Sequence, residues 1–264
     1  MIQYFDSHAH YYDDRFPKES SGADAILKEL FSSSVSHVIN IGTSPETSRL
    51  AVRQAQDYPR MYTALGVHPT DCQSLTVRME DALSDIESLI RDPQSKCVCL
   101  GEIGLDYHYP DTDREKQLVY FHAQMDLARS LGLPVSIHDR DAHADTLDVL
   151  RAHPGVPAIL HSFSGSAEMA KEAVSLGCYI SFSGTLTFTN ARKPKEAALV
   201  VPRDRLLIET DCPYLAPHPL RGTLNHSGNL RYTNAVLAAL IGVSEEECAA
   251  LTGANARRVF SLAD

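Results

Sequence analysis

Short apolar, β-branched-rich runs alternate with longer amphipathic stretches along the whole chain. The runs fall at 2–6, 36–41, 61–66, 97–102, 134–138, 157–161, 178–182 and 205–209, which gives eight expected strands with helical patterns in most of the gaps. Between the fourth and fifth runs, Leu118, Phe121, Met125 and Ala128 recur at three- and four-residue steps, the stripe of an amphipathic helix. Thr112 followed by Glu115 reads as a capping box at its start, and Gly132 and Pro134 as its stop. Asp141 is expected to cap the next helix, which carries Leu147 and Leu150. Ser244 with Glu247 forms a second capping box, and a helical stretch from Ala254 to Phe260 is expected against the barrel exterior.

Alternating strand and helix patterns imply parallel strands joined by right-handed crossovers. Eight strands point to α/β architecture as a distorted (β/α)8 TIM barrel, with an open doubly wound sheet as the alternative. Polar residues at the strand ends favour the barrel. Asp6-Ser7-His8-Ala9-His10, Gly101-Glu102-Ile103-Gly104, Ile137-His138, Leu160-His161 and Glu209-Thr210-Asp211 each stand where an apolar run stops. In a barrel, the C-terminal ends of all strands converge on one mouth. In an open sheet, the first and last strands can lie far apart. A single domain over 1–264 fits the length of such a barrel.

Composition narrows the class only modestly. Hydrophobic residues make up 44% and charged residues 22%, ordinary for a globular protein. No run approaches the roughly 18 apolar residues of a membrane span, and the N-terminus shows no export signal, so a cytoplasmic protein without membrane contact is expected. The expected oligomeric state is a monomer. Six cysteines without a Cys-x-x-Cys pair are expected to be reduced, with Cys97 and Cys99 as a core pair on one strand face. A net charge of -10 counts against a broad basic nucleic-acid surface. It leaves a phosphate substrate open, because two divalent cations would reverse the field within one cleft.

The strand-end residues divide by chemistry. His8 and His10 alternate along an extended segment, so both imidazoles face one side, a metal half-site or, more simply, a polar turn. Glu102 lies between two glycines, and a carboxylate there can bridge two metals. His138 and His161 end consecutive strands and together would hold a second ion, although a lone histidine in either place is more often a bonded core residue. Asp211 is positioned to bind a metal and accept a proton from its water. Glu209 points the same way but deeper, where it would orient a ligand histidine. Asp211 and Glu102 are the expected catalytic residues. His68, Arg140 and Arg221 are the expected substrate contacts, weighed against a turn histidine and two exposed surface charges. Asp106, Tyr107 and Phe188 are further pocket candidates, with core or rim packing the simpler reading for the two rings. No lysine ends a strand, Lys96 being at the opposite rim, so the strand-end candidates are imidazoles and carboxylates alone.

These residues, in this order, resemble the TatD-type metal-dependent deoxyribonucleases of the amidohydrolase superfamily. The resemblance runs almost end to end through Asp6-Ser-His-Ala-His10, Gly66-Val-His-Pro69, Gly101-Glu-Ile-Gly-Leu-Asp-Tyr107, Ile137-His-Asp-Arg-Asp141, His161-Ser-Phe-Ser-Gly165, Gly184-Thr-Leu-Thr-Phe188, Glu209-Thr-Asp-Cys-Pro-Tyr-Leu-Ala-Pro217, Arg221-Gly222 and Asn255-Ala-Arg-Arg258. It implies metal ligands at His8, His10, Glu102, His138, His161 and Asp211 for one or two divalent ions (Zn, Mg, Mn or Ni). It also implies a DNA or oligonucleotide substrate cleaved in the 3′-5′ exonuclease manner, with hydrolysis of a D-aminoacyl-tRNA ester, or a barrel without catalysis, as alternatives. Three departures stand out: Asn225-His226-Ser227-Gly228-Asn229 replaces a segment that often carries Asn-Glu-Pro, Ser162 stands where Cys is frequent, and Cys212 where Ser is frequent.

Overall fold

The computed structural model describes residues 2–16 and 22–263. Among them the strands are β1 Tyr4–Ala9, β2 Val35–Ile41, β3 Met61–Leu65, β4 Cys97–Asp106, β5 Val135–Arg140, β6 Ala158–Leu160, β7 Tyr179–Phe182 and β8 Leu206–Ile208. All neighbouring pairs run parallel, in sequence order from β1 to β8. Helices α1 Gly22–Ser33, α2 Pro45–Gln56, α3 Pro69–Ser74, α4 Met79–Arg91, α5 Arg114–Leu131, α6 His143–Ala152, α7 Ala167–Ser175, α8 Arg192–Ala198, α9 Leu230–Ile241 and α10 Glu245–Val259 lie between and after them. The eight expected strands are all present, and the barrel is nearly closed. No helix among the described residues is long and apolar enough to cross a membrane.

Alternation along the strands sorts the apolar residues into two layers. Val135, Ile137, Ala158, Leu160, Ile180, Phe182, Leu206 and Ile208 cluster with helix residues such as Phe121, Leu150 and Ala173. Residues of opposite parity, among them Ile39, Ile41, Ala64, Ile159, Tyr179 and Leu207, fill the interior. Phe5 joins them and stacks on Phe260, with ring centroids 6.0 Å apart. Helix α10 therefore does more than cover the exterior: its Cys248 and Ala249 do so, but Ala256, Val259 and Phe260 join the interior cluster.

Closure between β8 and β1 is not a regular ladder. One parallel bridge joins Ala9 to Cys212, with Asp211 N–H donating to His8 O (2.9 Å) and His10 N–H to Cys212 O (2.7 Å). Side chains supply the rest. Asp6, fully buried, accepts from Thr210 N (2.9 Å), Thr210 Oγ1 (2.5 Å) and Ser227 Oγ (2.6 Å). Ser7 Oγ donates to Ile208 O (3.0 Å). Burial pushes the Asp6 carboxyl up to about 6, even against the hydrogen bonds from Ser227 and Thr210.

Three local expectations are corrected. Asp113, not Thr112, caps α5, its side chain accepting from Lys116 N (3.0 Å), while Thr112 Oγ1 donates to Asp106 O. Asp141 does not cap α6: its φ of 57° turns it away, and its carboxylate meets His108 Nδ1 (3.1 Å). Cys97 and Cys99 pack in different clusters because the β3–β4 register shifts between them. All six cysteines are free thiols, and the Ser244–Glu247 capping box is formed.

Candidate metal centre

The inward parity that packs the core continues past the strand ends and turns polar. Ile159 is followed on the same side by His161, and Leu207 by Glu209 and then Asp211, so one column passes from apolar floor to polar mouth. Glu102 sits where β4 and β5 slip register between Leu100 and Ile103. The flanking glycines have a steric cause. A Cβ at Gly101 would lie 2.8 Å from Ser136 Cβ, and one at Gly104 (φ 131°) would lie 2.1 Å from His138 O. The two strands approach so closely there that only glycine fits beside the carboxylate.

The structure brings all six expected ligands together around Glu102. Its Oε1 faces His161 Nε2 (2.8 Å), His138 Nδ1 (2.9 Å) and His68 Nε2 (3.4 Å). Its Oε2 faces His8 Nε2 (3.4 Å) and His10 Nε2 (3.7 Å). Asp211 Oδ1 adjoins the second set, 3.3 Å from His10 Nε2 and 3.7 Å from His8 Nε2. The two nitrogens of His8 and His10 lie 3.1 Å apart and address one point. Three triads have ligand atoms within 4.8 Å of one another: His8, His10 and Asp211; His8, Glu102 and His161; His68, Glu102 and His138. One carboxylate thus presents a different oxygen to each group of imidazoles. Asp211 holds its place with φ 56°, a left-handed conformation that Asp tolerates better than most residues and that recurs at functional sites.

Each ligand histidine is fixed from behind. His10 Nδ1 donates to Ile41 O (2.9 Å) and His161 Nδ1 to Glu209 Oε1 (3.1 Å), which leaves each Nε2 lone pair for the centre. Glu209 is fully buried and also accepts from Ser162 N (2.7 Å). His138 Nε2 donates to Asp106 Oδ2 (3.2 Å), and His8 Nδ1 meets Ser136 Oγ (3.3 Å). Such backing partners set tautomer and ring orientation in metal sites. Asp106 and Ser136 were the weak points of the sequence reading. Asp106 shares the parity of Glu102 along β4, and Ser136 that of His138 along β5, which was the signal available.

Charge is balanced by competing effects. Burial pushes the Glu102 carboxyl up, but His161, His68, His8 and a hydrogen bond from His138 outweigh it and hold the group well below the usual range. Burial also raises Asp211, and the His10 hydrogen bond with the nearby imidazoles brings it below. Burial lowers His161, yet Glu102 and Glu209 lift it well above an ordinary histidine. Positive charge is favoured on His161, whereas burial and the neighbouring His161 hold His8 below an ordinary histidine. Imidazole and carboxylate together suit zinc-like and harder divalent ions alike. The donor set and its backing partners fit the expected metal.

The expected substrate contacts have separate fates. His68 Nδ1 accepts from Thr70 N (3.1 Å) at the start of α3, while its Nε2 faces Glu102. Arg140 is exposed and reaches to 4.0 Å from Asp106 Oδ2. Arg221 lies over the Phe188 ring at 4.4 Å. Tyr107 packs under Arg114 (4.3 Å) and donates to Asp145 (2.7 Å). Lys96 spends its ammonium on the carbonyls of Ala55, Tyr58 and Pro59.

The model of the family described as TatD related DNase matches residues 5–261. The chain is 36% identical over 260 residues to the uncharacterized metal-dependent hydrolase YabD of Bacillus subtilis, covering 98% of this chain and 99% of that one. It is 42% identical over 201 residues to the uncharacterized metal-dependent hydrolase YcfH of Escherichia coli, covering 75% and 72%. Among solved structures, YjjV, a TatD homolog from Escherichia coli, superposes with a TM-score of 0.89 at 29% identity, covering 98% of both chains.

Proposed function

We propose a reaction from one premise: this chain belongs to the TatD-related DNase family and is a metal-dependent hydrolase. The reaction is hydrolysis of phosphodiester bonds in DNA, with nucleotides removed from a 3′ end. Support comes chiefly from Glu102, whose two oxygens face two separate imidazole groups, the disposition a carboxylate needs to hold two cations side by side. His8, His10 and Asp211 would hold one ion and His138 and His161 the other, with Glu102 between. Divalent cations held there would supply activation of water near neutral pH and neutralisation of phosphate charge.

The rest of the chemistry falls to the protein. Asp211, kept ionised by its imidazole neighbours, takes the proton of the attacking water. Glu209, Asp106 and the Ile41 carbonyl keep the ligand rings from rotating as charge moves. His68 offers Nε2 at the edge of the cluster, and Arg140 and Arg221 add cationic side chains on the rim for phosphate oxygens. Attack in line forms the new P–O bond and breaks the one to the sugar, and the released sugar oxygen takes up a proton from solvent as Asp211 gives up the one it accepted.

The test is turnover by protein reconstituted separately with Zn, Mg, Mn and Ni. The substrates are end-labelled oligodeoxynucleotides and a D-aminoacyl-tRNA, with Glu102→Gln as control. Stepwise shortening from the 3′ end that disappears in the variant is expected. Ester cleavage on the tRNA without shortening of DNA would overturn the nuclease reading and leave the hydrolase intact.

A further inference from the structure

Five large apolar or aromatic side chains are exposed among the described residues: Val77, Tyr109, Val119, Leu199 and Tyr214. The two aromatic ones both stand on the mouth of the barrel, in different sectors. Tyr214, 39% exposed, follows β8, and its ring meets that of His10 edge-on with centroids 6.2 Å apart. The Arg15 guanidinium lies 4.2 Å from its centroid. Tyr109, 48% exposed, follows β4. Arg140, at the end of β5, lies 5.7 Å from its centroid and 4.0 Å from Asp106, which in turn holds His138. Strand order places β8 and β1 across the barrel from β4 and β5, so the two arginine–tyrosine pairs flank the ligand cluster from opposite sides.

Leaving an aromatic face in water forgoes burial that would favour folding. Both rings already carry a cation nearby, and each keeps open surface. Carboxylates are present too: Tyr214 donates to Asp13 (2.8 Å), and Asp141 pairs with His108 near Tyr109. In a chain of net charge -10, each open ring on the two flanks of this centre has an arginine beside it as well as a carboxylate. The combination matches single-stranded nucleic acid, whose bases stack on aromatic rings while arginine meets the backbone. A base held in a duplex has both faces already stacked and must leave its neighbours to use such a ring.

We propose that Tyr109 with Arg140 and Tyr214 with Arg15 are two base-stacking platforms. A polynucleotide strand then lies across the mouth with one base on each platform and the scissile phosphate between them. The proposal rests on the polynucleotide reading and specifies how such a strand is held.

The experiment compares wild type, Tyr109→Ala, Tyr214→Ala and the corresponding Phe variants, all metal-loaded. The substrates are a single-stranded oligodeoxynucleotide, the same strand bearing an abasic residue on one side or the other of the cleaved bond, and bis(p-nitrophenyl) phosphate. Each Ala variant should lose roughly 5- to 100-fold in kcat/KM on the oligonucleotide beyond any loss on the small diester, mainly through KM. Each Phe variant should recover most of the loss. An abasic residue on one side should impair wild type yet add nothing to one of the Ala variants, which assigns that platform to that side. Equal losses on both substrates, or full oligonucleotide activity in both Ala variants, overturn the platforms while leaving the nuclease reading in place. Wild-type turnover of the small diester without any of DNA overturns both.

Discussion

Asp6 offers a quantitative test of how the barrel is sealed. The carboxyl is fully buried at the β1–β8 junction and is pushed up to about 6 from an ordinary 3.8. A carboxyl raised in this way binds protons more tightly in the folded chain than in the unfolded one. Its contribution is therefore fully present below pH 3.8 and is lost as pH rises through about 6. The shift corresponds to about 3 kcal/mol in total, of which roughly 1.4 kcal/mol falls between pH 5 and pH 7.5. Asp6→Asn removes the titration but keeps one acceptor for Thr210 N. The hydroxyls of Thr210 and Ser227 can rotate to accept from the new amide. Other titrating groups cancel in the difference between wild type and variant. Urea unfolding in chelator at a series of pH values should show the variant destabilised at pH 5, with the gap narrowing by roughly 1.4 kcal/mol at pH 7.5. A gap that stays constant, or that widens with pH, would refute the idea that Asp6 carries a buried, disfavoured charge at neutral pH.

Three further outcomes follow from the same geometry. Glu102→Gln should reduce metal content to that of chelator-treated protein and remove turnover, read by elemental analysis beside activity; retained stoichiometry would deny the carboxylate its bridging place. Glu209→Gln should weaken metal affinity by about 10- to 100-fold while leaving the fold intact, measured by competition with a chromophoric chelator; unchanged affinity would mean that the His161 ring is held by packing alone. Gly104→Ala should lower stability by more than about 3 kcal/mol or block folding, since its Cβ would collide with the His138 carbonyl at 2.1 Å; a variant with near-native urea midpoint would contradict the close approach of β4 and β5.

The strands were legible because burial on both faces gives each a continuous apolar run. The ligands were legible because they continue that run past its end with the opposite chemistry. Expectations slipped where a side-chain bond competed with a local pattern. Thr112 turned to the Asp106 carbonyl and left the capping of α5 to Asp113. Asp141 adopted a positive φ and left α6 uncapped. The register shift between Cys97 and Cys99 is a pairing property of β3 with β4, which one strand's alternation does not encode. The roles of Ser136 and Asp106 behind the ligand rings depend on which strands lie side by side. For the same reason Arg15 and Tyr214, about 200 positions apart in sequence, became a pair only once β1 and β8 met.

The joint between the first and last strands has a mechanical consequence. It lacks a ladder, yet His8 and His10 stand on one side of it and Asp211 on the other. An ion gripped by all three would act as a rivet through the barrel wall, and cargo-free protein would be the looser vessel. At a concentration 1,000 times its dissociation constant, such a rivet contributes about 4 kcal/mol, a rise of roughly 10 °C in Tm. Metal scarcity would then reach this protein twice, first by idling its chemistry and then by shortening its life.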